Sequence, residues 1–230
     1  MQKSYLDLEK KIDLEFNKKT LLKDVFIHRS YLNEHRKLHL PSNEKLEFLG
    51  DSVLSLITSI YLYKNFPDLK EGDYTDIKAS IVRTESLAEV AQKLALGEYL
   101  YLSKGEEKGK GRINSNILAD TFEALIAAIF IDRGFDSAYD FILKNLFKEK
   151  LDYIVKNKLY LSPKSRLQEI IQAKYKVLPS YQTIKETGPE HDKIFQVEVL
   201  VKDHKLGEGQ GSSKKTAEEK AAENSLEKMT

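Results

Sequence analysis

Five acidic residues form two sets, and the spacing within each set places the side chains on one face of a helix. Glu44, Glu47 and Asp51 follow the pattern i, i+3, i+7. Asp120 and Glu123 follow the pattern i, i+3. Most neighbouring residues are apolar, and the almost wholly apolar run around and after Glu123 predicts that the second helix is largely buried. Like charges at this spacing destabilise a helix by roughly 0.2–0.5 kcal/mol per pair, and burial raises that cost.

The residue types favour a site for a hard divalent cation. The candidate ligands are all carboxylates with no paired histidine, which is the donor set that Mg²⁺ or Mn²⁺ prefers. Such a cation lowers the pKa of bound water and neutralises charge that develops on a phosphate, which indicates phosphodiester hydrolysis. For any single acid, the simpler alternative is a helix cap or a pair with lysine or arginine. The spacing leaves one and two cations per site as alternatives.

Gly50 is the second unusual feature of the first acidic helix. A glycine inside a helix costs roughly 0.5–1 kcal/mol relative to alanine. Either the helix simply tolerates this cost, or a neighbouring helix or the metal site approaches the backbone closely at Gly50.

The elements that must position these residues are mainly helices. Apolar periodicity predicts helices over residues 4–16, 20–26, 43–65, 72–97, 114–132 and 136–156, with a flexible charged loop at 103–112. After Leu161 the pattern becomes one helix, three strands and a helix rich in alanine. The predicted fold class is an all-α N-terminal domain followed by an α+β domain with the order α-β-β-β-α. The predicted boundaries are a first domain at 1–156, a linker at 157–161 and a second domain at 162–230.

The composition excludes several classes of protein. The 230 residues contain no cysteine, which excludes disulfides, thiolate nucleophiles and sulfur-ligated zinc. No run of about 18 apolar residues occurs, so we expect no membrane span. The charged first residues lack the apolar core of a secretion signal, and we therefore expect a cytoplasmic protein. Because the net charge is only +1, any nucleic-acid binding must come from locally clustered charge.

The segment Glu47-Phe48-Leu49-Gly50-Asp51, followed further along by Asp120-Thr121-Phe122-Glu123, resembles the ribonuclease III family. The resemblance implies that the metal ligands are Glu47, Asp51, Asp120 and Glu123. It implies that Asp51 and Glu123 are catalytic, and that 1–156 is the nuclease domain. The metal would be Mg²⁺, with Mn²⁺ as a substitute, and no small-molecule cofactor is expected.

The resemblance also implies less specific roles for three other residues. Glu44 and Glu71 match further acids of the family's active-site valley, and the alternative is that both are ordinary solvated glutamates. Phe48 matches an aromatic residue that inserts into the partner subunit of the family's homodimer. The alternative for Phe48 is an ordinary core phenylalanine. A homodimer in which each subunit cuts one strand is therefore expected.

The C-terminal element order and the segment Gly209-Gln210-Gly211-Ser212-Ser213-Lys214-Lys215 resemble a double-stranded RNA-binding domain. Such a domain recognises the A-form shape of the duplex. Lys214 and Lys215 open the final helix, where backbone N–H groups also attract phosphate. The residues expected to contact RNA are Lys164, Arg166, Gln168, Glu169, His191, Ser213, Lys214 and Lys215.

These features together predict an endoribonuclease that hydrolyses double-stranded RNA. The family resemblance implies products with 5′-phosphate and 3′-hydroxyl ends and short 3′ overhangs, and a role in processing ribosomal RNA precursors and some messenger RNAs. The main alternative is a non-catalytic double-stranded RNA-binding protein, and the intact acid set argues against it. Another alternative is a metal-dependent phosphohydrolase of small nucleotides, and the C-terminal domain argues against that.

Overall fold

The computed structural model describes residues 4–148, 151–189 and 192–229. The chain divides into two compact units, Met1–Val155 and Lys156–Thr230. In its described part, the first unit is built of helices and turns. Its α-helices are α1 (Tyr5–Ile12), α2 (Lys19–Asp24), α3 (Arg29–Glu34), α4 (Glu44–Asn65), α5 (Glu71–Ile81), α6 (Thr84–Lys93), α7 (Lys104–Lys108), α8 (Ser115–Ile142) and α9 (Leu151–Lys156).

Helices α4 and α8 pack against each other at the centre of the first unit. Helix α8 begins at a side-chain cap, because the Asn114 side chain accepts hydrogen bonds from the backbone N–H groups of Asn116 and Ile117. Residues 124–129 of α8 are fully buried. Gly134 interrupts the helix with a φ of 82°, a left-handed conformation that favours glycine. The interruption lies between the two helices predicted over 114–132 and 136–156.

Residues 103–112 fold into helix α7 and a turn, so the expectation of a flexible charged loop is wrong. The Ser103 hydroxyl caps α7 by accepting a hydrogen bond from the Glu106 backbone N–H at 3.2 Å. The Arg112 guanidinium donates to the Gly97 carbonyl at 2.7 Å and pairs with Glu107. The charged side chain of Arg112 therefore makes contacts within this region. The glycines and charges of the segment had favoured a loop instead.

By length and composition alone, helix α4 is apolar enough to cross a membrane. One such helix is weak evidence, because the core helix of a soluble protein passes the same test. Of the apolar window of α4, 33% is buried inside the protein. The absence of a membrane span stays a prediction.

The second unit consists of a three-stranded antiparallel sheet with two helices. Its elements are α10 (Pro163–Tyr175), β1 (Ser180–Thr187), β2 (Ile194–Val201), β3 (His204–Gly211) and α11 (Lys214–Met229). The sheet order is β1-β2-β3. Helix α11 packs closely on β3, and a β-carbon at Gly209 would overlap the backbone of Ala221. This close approach explains the small residues of the last helix.

Candidate active site and RNA-binding surface

Helices α4 and α8 carry the two acidic sets, and their backbones come close together at Gly50 and Glu123. A β-carbon at Gly50 would lie much closer to the Glu123 carbonyl oxygen than the 3.0 Å that real β-carbons keep. Of the two explanations for this glycine, the close approach of a neighbouring helix is therefore confirmed. The contact brings the turn of α4 that carries Glu47 against the turn of α8 that carries Asp120 and Glu123.

The carboxylates of Glu47, Asp120 and Glu123 converge at this helix contact. One oxygen from each residue lies within 4.8 Å of the others, and all three residues are half-buried. Two oxygens on opposite sides of Mg²⁺ lie about 4.2 Å apart, twice the metal–oxygen distance. The three residues therefore fit a small, oxygen-liganded cation after minor side-chain adjustment.

Burial raises the pKa values of these carboxyls, and repulsion by neighbouring acids adds to the rise for Glu47 and Glu123. The pKa of Glu123 is raised to about 8, first by desolvation and then by nearby negative charges, that of Asp51 foremost. The pKa of Glu47 is raised by desolvation and then by the charge of Asp120. Desolvation also raises the pKa of Asp120. A bound cation would relieve this repulsion, and its binding would release protons from the site.

Two further acids lie beside this group of three. Asp51 is exposed on α4, one helical turn beyond Glu47, and its charge raises the pKa of Glu123. Glu44 lines the same cavity as Glu47 and accepts a hydrogen bond from the Ser42 hydroxyl at 2.7 Å. Both acids can therefore add negative charge to the site from its edge.

Glu71 and Phe48 do not join the acid group. Glu71 is the exposed first residue of α5 and accepts a hydrogen bond from the Thr75 hydroxyl at 3.1 Å. Glu71 is not among the described residues that line the cavity beside Glu44 and Glu47. The side chain of Phe48 is 78% exposed, so it is not an ordinary core phenylalanine in this chain.

A cavity of about 240 Å³ opens beside the acids, lined by His28, Arg29, Asn43, Glu44, Glu47 and Asp120. His28 and Arg29 were not predicted to belong to the site; they lie directly before α3 and at its first residue. The His28 Nδ1 atom lies 2.8 Å from the Ser30 hydroxyl, and burial lowers the pKa of this histidine. No helical spacing connects these residues with the acids, so only the tertiary fold reveals their proximity.

Lys214 and Lys215 lie exposed at the start of α11, as expected for a phosphate-binding surface. The Ser213 hydroxyl accepts a hydrogen bond from the Thr216 backbone N–H at 3.1 Å and caps the helix. The Lys214 Nζ atom lies 3.3 Å from a carboxylate oxygen of Glu186. RNA phosphate would therefore compete with Glu186 for Lys214.

Lys164 makes contacts within the second unit. Its Nζ atom lies 2.5 Å from the Glu218 carboxylate and 4.6 Å from the centre of the Tyr181 ring. These contacts join α10 to α11 and β1, so Lys164 is less available to RNA than Lys215.

The other predicted RNA contacts on α10 differ in exposure. Gln168 is exposed and Arg166 is half-buried. The exposed Glu169 accepts a hydrogen bond from the Lys158 ammonium at 2.5 Å. His191 lies outside the described residues. The RNA contacts of all these residues stay predictions.

Comparison with known proteins identifies both parts of the chain. Residues 18–150 match a family profile described as Ribonuclease-III-like, and residues 163–229 match the double-stranded RNA binding motif. The chain belongs to the ribonuclease III family. A Ribonuclease 3 of Streptococcus pneumoniae is 45% identical over 229 residues, covering 96% of this chain and 94% of that protein. A Ribonuclease 3 of Dehalococcoides mccartyi is 43% identical over 223 residues, covering 97% and 94%.

A solved structure supports the same assignment. The nuclease domain of ribonuclease III from Campylobacter jejuni is 35% identical, with a TM-score of 0.59, and covers 64% of this chain and 99% of that domain. The predicted fold class, a helical nuclease domain followed by an α-β-β-β-α RNA-binding domain, is confirmed. The chain is an endoribonuclease that acts on double-stranded RNA, and not a non-catalytic binding protein.

Proposed function

We propose that Glu47, Asp51, Asp120 and Glu123 of this ribonuclease III hold Mg²⁺, with Mn²⁺ as a substitute. The observation that carries this proposal is the convergence of three carboxylates from α4 and α8 within 4.8 Å. Asp51 lies outside that group of three, yet its charge reaches Glu123, so it acts at the edge of the same site. Asp51 and Glu123 are the catalytic pair, and Glu44 and Glu71 are secondary acids of the surrounding surface.

The reaction is hydrolysis of a phosphodiester bond in each strand of the duplex. A cation held by these carboxylates would supply an activated water and neutralise charge on the phosphate. Glu123 must lose its proton to act as a ligand, because its pKa of about 8 leaves it largely protonated at neutral pH without a cation. Breaking the bond between phosphorus and the 3′ oxygen leaves a 5′-phosphate and a 3′-hydroxyl.

The protein acts as a homodimer in this proposal. Phe48, Leu56 and Tyr63 form an apolar stripe on α4, and their side chains are 78%, 53% and 75% exposed. A large exposed apolar surface is typical of a protein interface. The solved Campylobacter jejuni nuclease domain has a region involved in dimer formation. Two staggered active sites, one per subunit, would produce the short 3′ overhangs.

The RNA-binding domain holds the duplex and is proposed to span residues 162–230, joined by a linker at 157–161 to a nuclease domain at 1–156. The proposed RNA-contacting residues are Lys164, Arg166, Gln168, Glu169, His191, Ser213, Lys214 and Lys215.

Ribosomal RNA precursors and some messenger RNAs are the proposed natural substrates. The proposed location is the cytoplasm, which agrees with the absence of cysteine. No small-molecule cofactor and no membrane partner belong to the proposal.

Incubation of the full chain with a long RNA duplex tests this proposal. With Mg²⁺ or Mn²⁺ we expect duplex fragments that carry 5′-phosphates and short 3′ overhangs. With EDTA, or with single-stranded RNA of the same sequence, we expect no cleavage. Light scattering should give a mass about twice that of the 26.4 kDa chain. Cleavage that persists in EDTA would contradict the metal site, and a monomer that cuts both strands would contradict the dimer.

A further inference from the structure

Arg29 is a cation beside the acid cluster that has no role in the proposed metal site. Among the described residues that line the acid cavity, it is the only lysine or arginine. Its side chain is 72% exposed, and its nearest guanidinium nitrogen lies 3.6 Å from the Glu44 carboxylate. That separation is too long for a hydrogen bond of ordinary strength. The guanidinium therefore keeps most of its hydrogen-bonding capacity.

The backbone that carries Arg29 is fixed relative to the start of α4. The His28 backbone N–H donates to the Tyr101 carbonyl at 3.2 Å, and the Asn43 backbone N–H donates to the Ile27 carbonyl at 2.9 Å. Asn43 directly precedes α4, so Arg29 starts from a segment bonded to the beginning of the acidic helix. The start of the Arg29 side chain is therefore fixed relative to α4, and its guanidinium reaches the cavity beside Glu44 and Glu47.

Pairing with Glu44 does not explain Arg29. An exposed ion pair of this length contributes little to stability. A guanidinium carries parallel N–H donors that match two oxygens of one phosphate, which lysine cannot reproduce. Arg29 lines the cavity beside the acids, so a phosphate that enters this cavity comes within reach of its guanidinium.

We propose that Arg29 contacts the RNA phosphate that is cleaved, donating hydrogen bonds to its non-bridging oxygens and stabilising the charge that develops on them. The proposal rests on the proposed function, because it assumes that the scissile phosphate lies at the acid cluster. Full cleavage by a Glu123→Gln variant would overturn that assumption. Loss of cleavage in Glu123→Gln together with full cleavage in Arg29→Ala would overturn only the role of Arg29.

Single-turnover cleavage of a long RNA duplex by Arg29→Ala tests the proposal. At saturating Mg²⁺ we expect the cleavage rate constant to fall by about 10²- to 10³-fold, the usual effect of removing one transition-state donor. The Kd for the duplex, measured in EDTA, should change by less than about threefold, because one phosphate contact of many is lost. Lys93→Ala removes an exposed charge from α6, outside the acid cavity, and should leave both values unchanged.

A second measurement separates a phosphate contact from simple charge balance among the acids. Removing a cation makes the acid site more negative, so the Mg²⁺ concentration at half-maximal rate should stay equal or fall. If excess Mg²⁺ restores the rate, or if the rate stays within threefold of the wild-type value, the proposal is wrong. If Arg29→Ala unfolds at the assay temperature, Arg29→Gln is judged by the same limits.

Discussion

Replacement of Glu123 by glutamine should stabilise the metal-free protein at high pH, because the glutamate must ionise there among other negative charges. The pKa of Glu123 is raised from 4.5 to about 8, so the folded state binds more protons than the unfolded state between these pH values. Stability therefore falls as the pH rises from about 4.5 to 8. The raised pKa corresponds nominally to roughly 5 kcal/mol. Because water reaches part of this carboxyl, we expect about 2 kcal/mol.

Thermal unfolding of the full chain in EDTA measures this effect. Glutamine resembles the protonated acid, so Glu123→Gln should match the wild-type protein near pH 5 and exceed it at pH 8. A gain of about 2 kcal/mol corresponds to about 4–8 °C for a chain of this size. With Mg²⁺ at pH 8 the order should reverse, because only the wild-type protein gains the full stabilisation by the bound ion.

A matched control is Glu85→Gln, which changes an exposed acid on α6 that lies 3.9 Å from Arg83. Its unfolding temperature should differ from the wild-type value by the same small amount at both pH values. The reasoning would be refuted if Glu123→Gln changed the unfolding temperature equally at pH 5 and pH 8, or lowered it at pH 8. Either result would mean that neighbouring charges and burial do not raise the pKa of Glu123.

Three further changes test other parts of the structure. Gly50→Ala should destabilise the fold by about 1–3 kcal/mol and slow cleavage, because its methyl group would push Glu123 away from α4. The pair Lys214→Ala and Lys215→Ala should weaken duplex binding and reduce the slope of log affinity against log salt by about 2. Glu186→Gln should tighten duplex binding severalfold at low salt, because it removes a carboxylate that competes with phosphate for Lys214.

The glycine variant and the lysine pair each have a control in the same domain. Gly72→Ala adds a methyl group where nothing lies within 4 Å and should not clash with any neighbour. Lys220→Ala with Lys228→Ala removes two exposed lysines from elsewhere on α11 and should change the salt slope less. Normal stability of Gly50→Ala would contradict the close packing of α4 on α8. An unchanged salt slope in the lysine pair would contradict its phosphate contacts. Unchanged binding by Glu186→Gln would contradict competition with phosphate for Lys214.

The helices that carry the acids could be predicted from sequence because their apolar residues repeat with helical spacing. For Gly50 the sequence offered a close helix contact as one of two explanations, and the packing of α4 on α8 confirms it. The identity of the acids that meet could not be predicted in this way, because it depends on how α4 packs on α8. Asp51 lies on the same helical stripe as Glu47, yet the group of three carboxylates does not include it.

The remaining features depend on contacts between segments distant in sequence. His28 and Arg29 reach the acid cavity because their segment is bonded to Tyr101 and Asn43, and no local pattern encodes such bonds. The segment 103–112 was expected to be a loop because of its glycines and charges. The pairing of Arg112 with Glu107 gives it a defined fold instead.

The most direct test of the central claim compares binding and cleavage of one long RNA duplex by the wild-type protein and by Glu123→Gln. With Mg²⁺ present, the wild-type protein should cut the duplex. The variant should bind it with an affinity within about threefold of wild type, because the phosphate contacts of the RNA-binding domain are unchanged. The variant should cut it on the order of a hundredfold more slowly or worse. Cleavage by Glu123→Gln at the wild-type rate would contradict a catalytic metal site at these carboxylates.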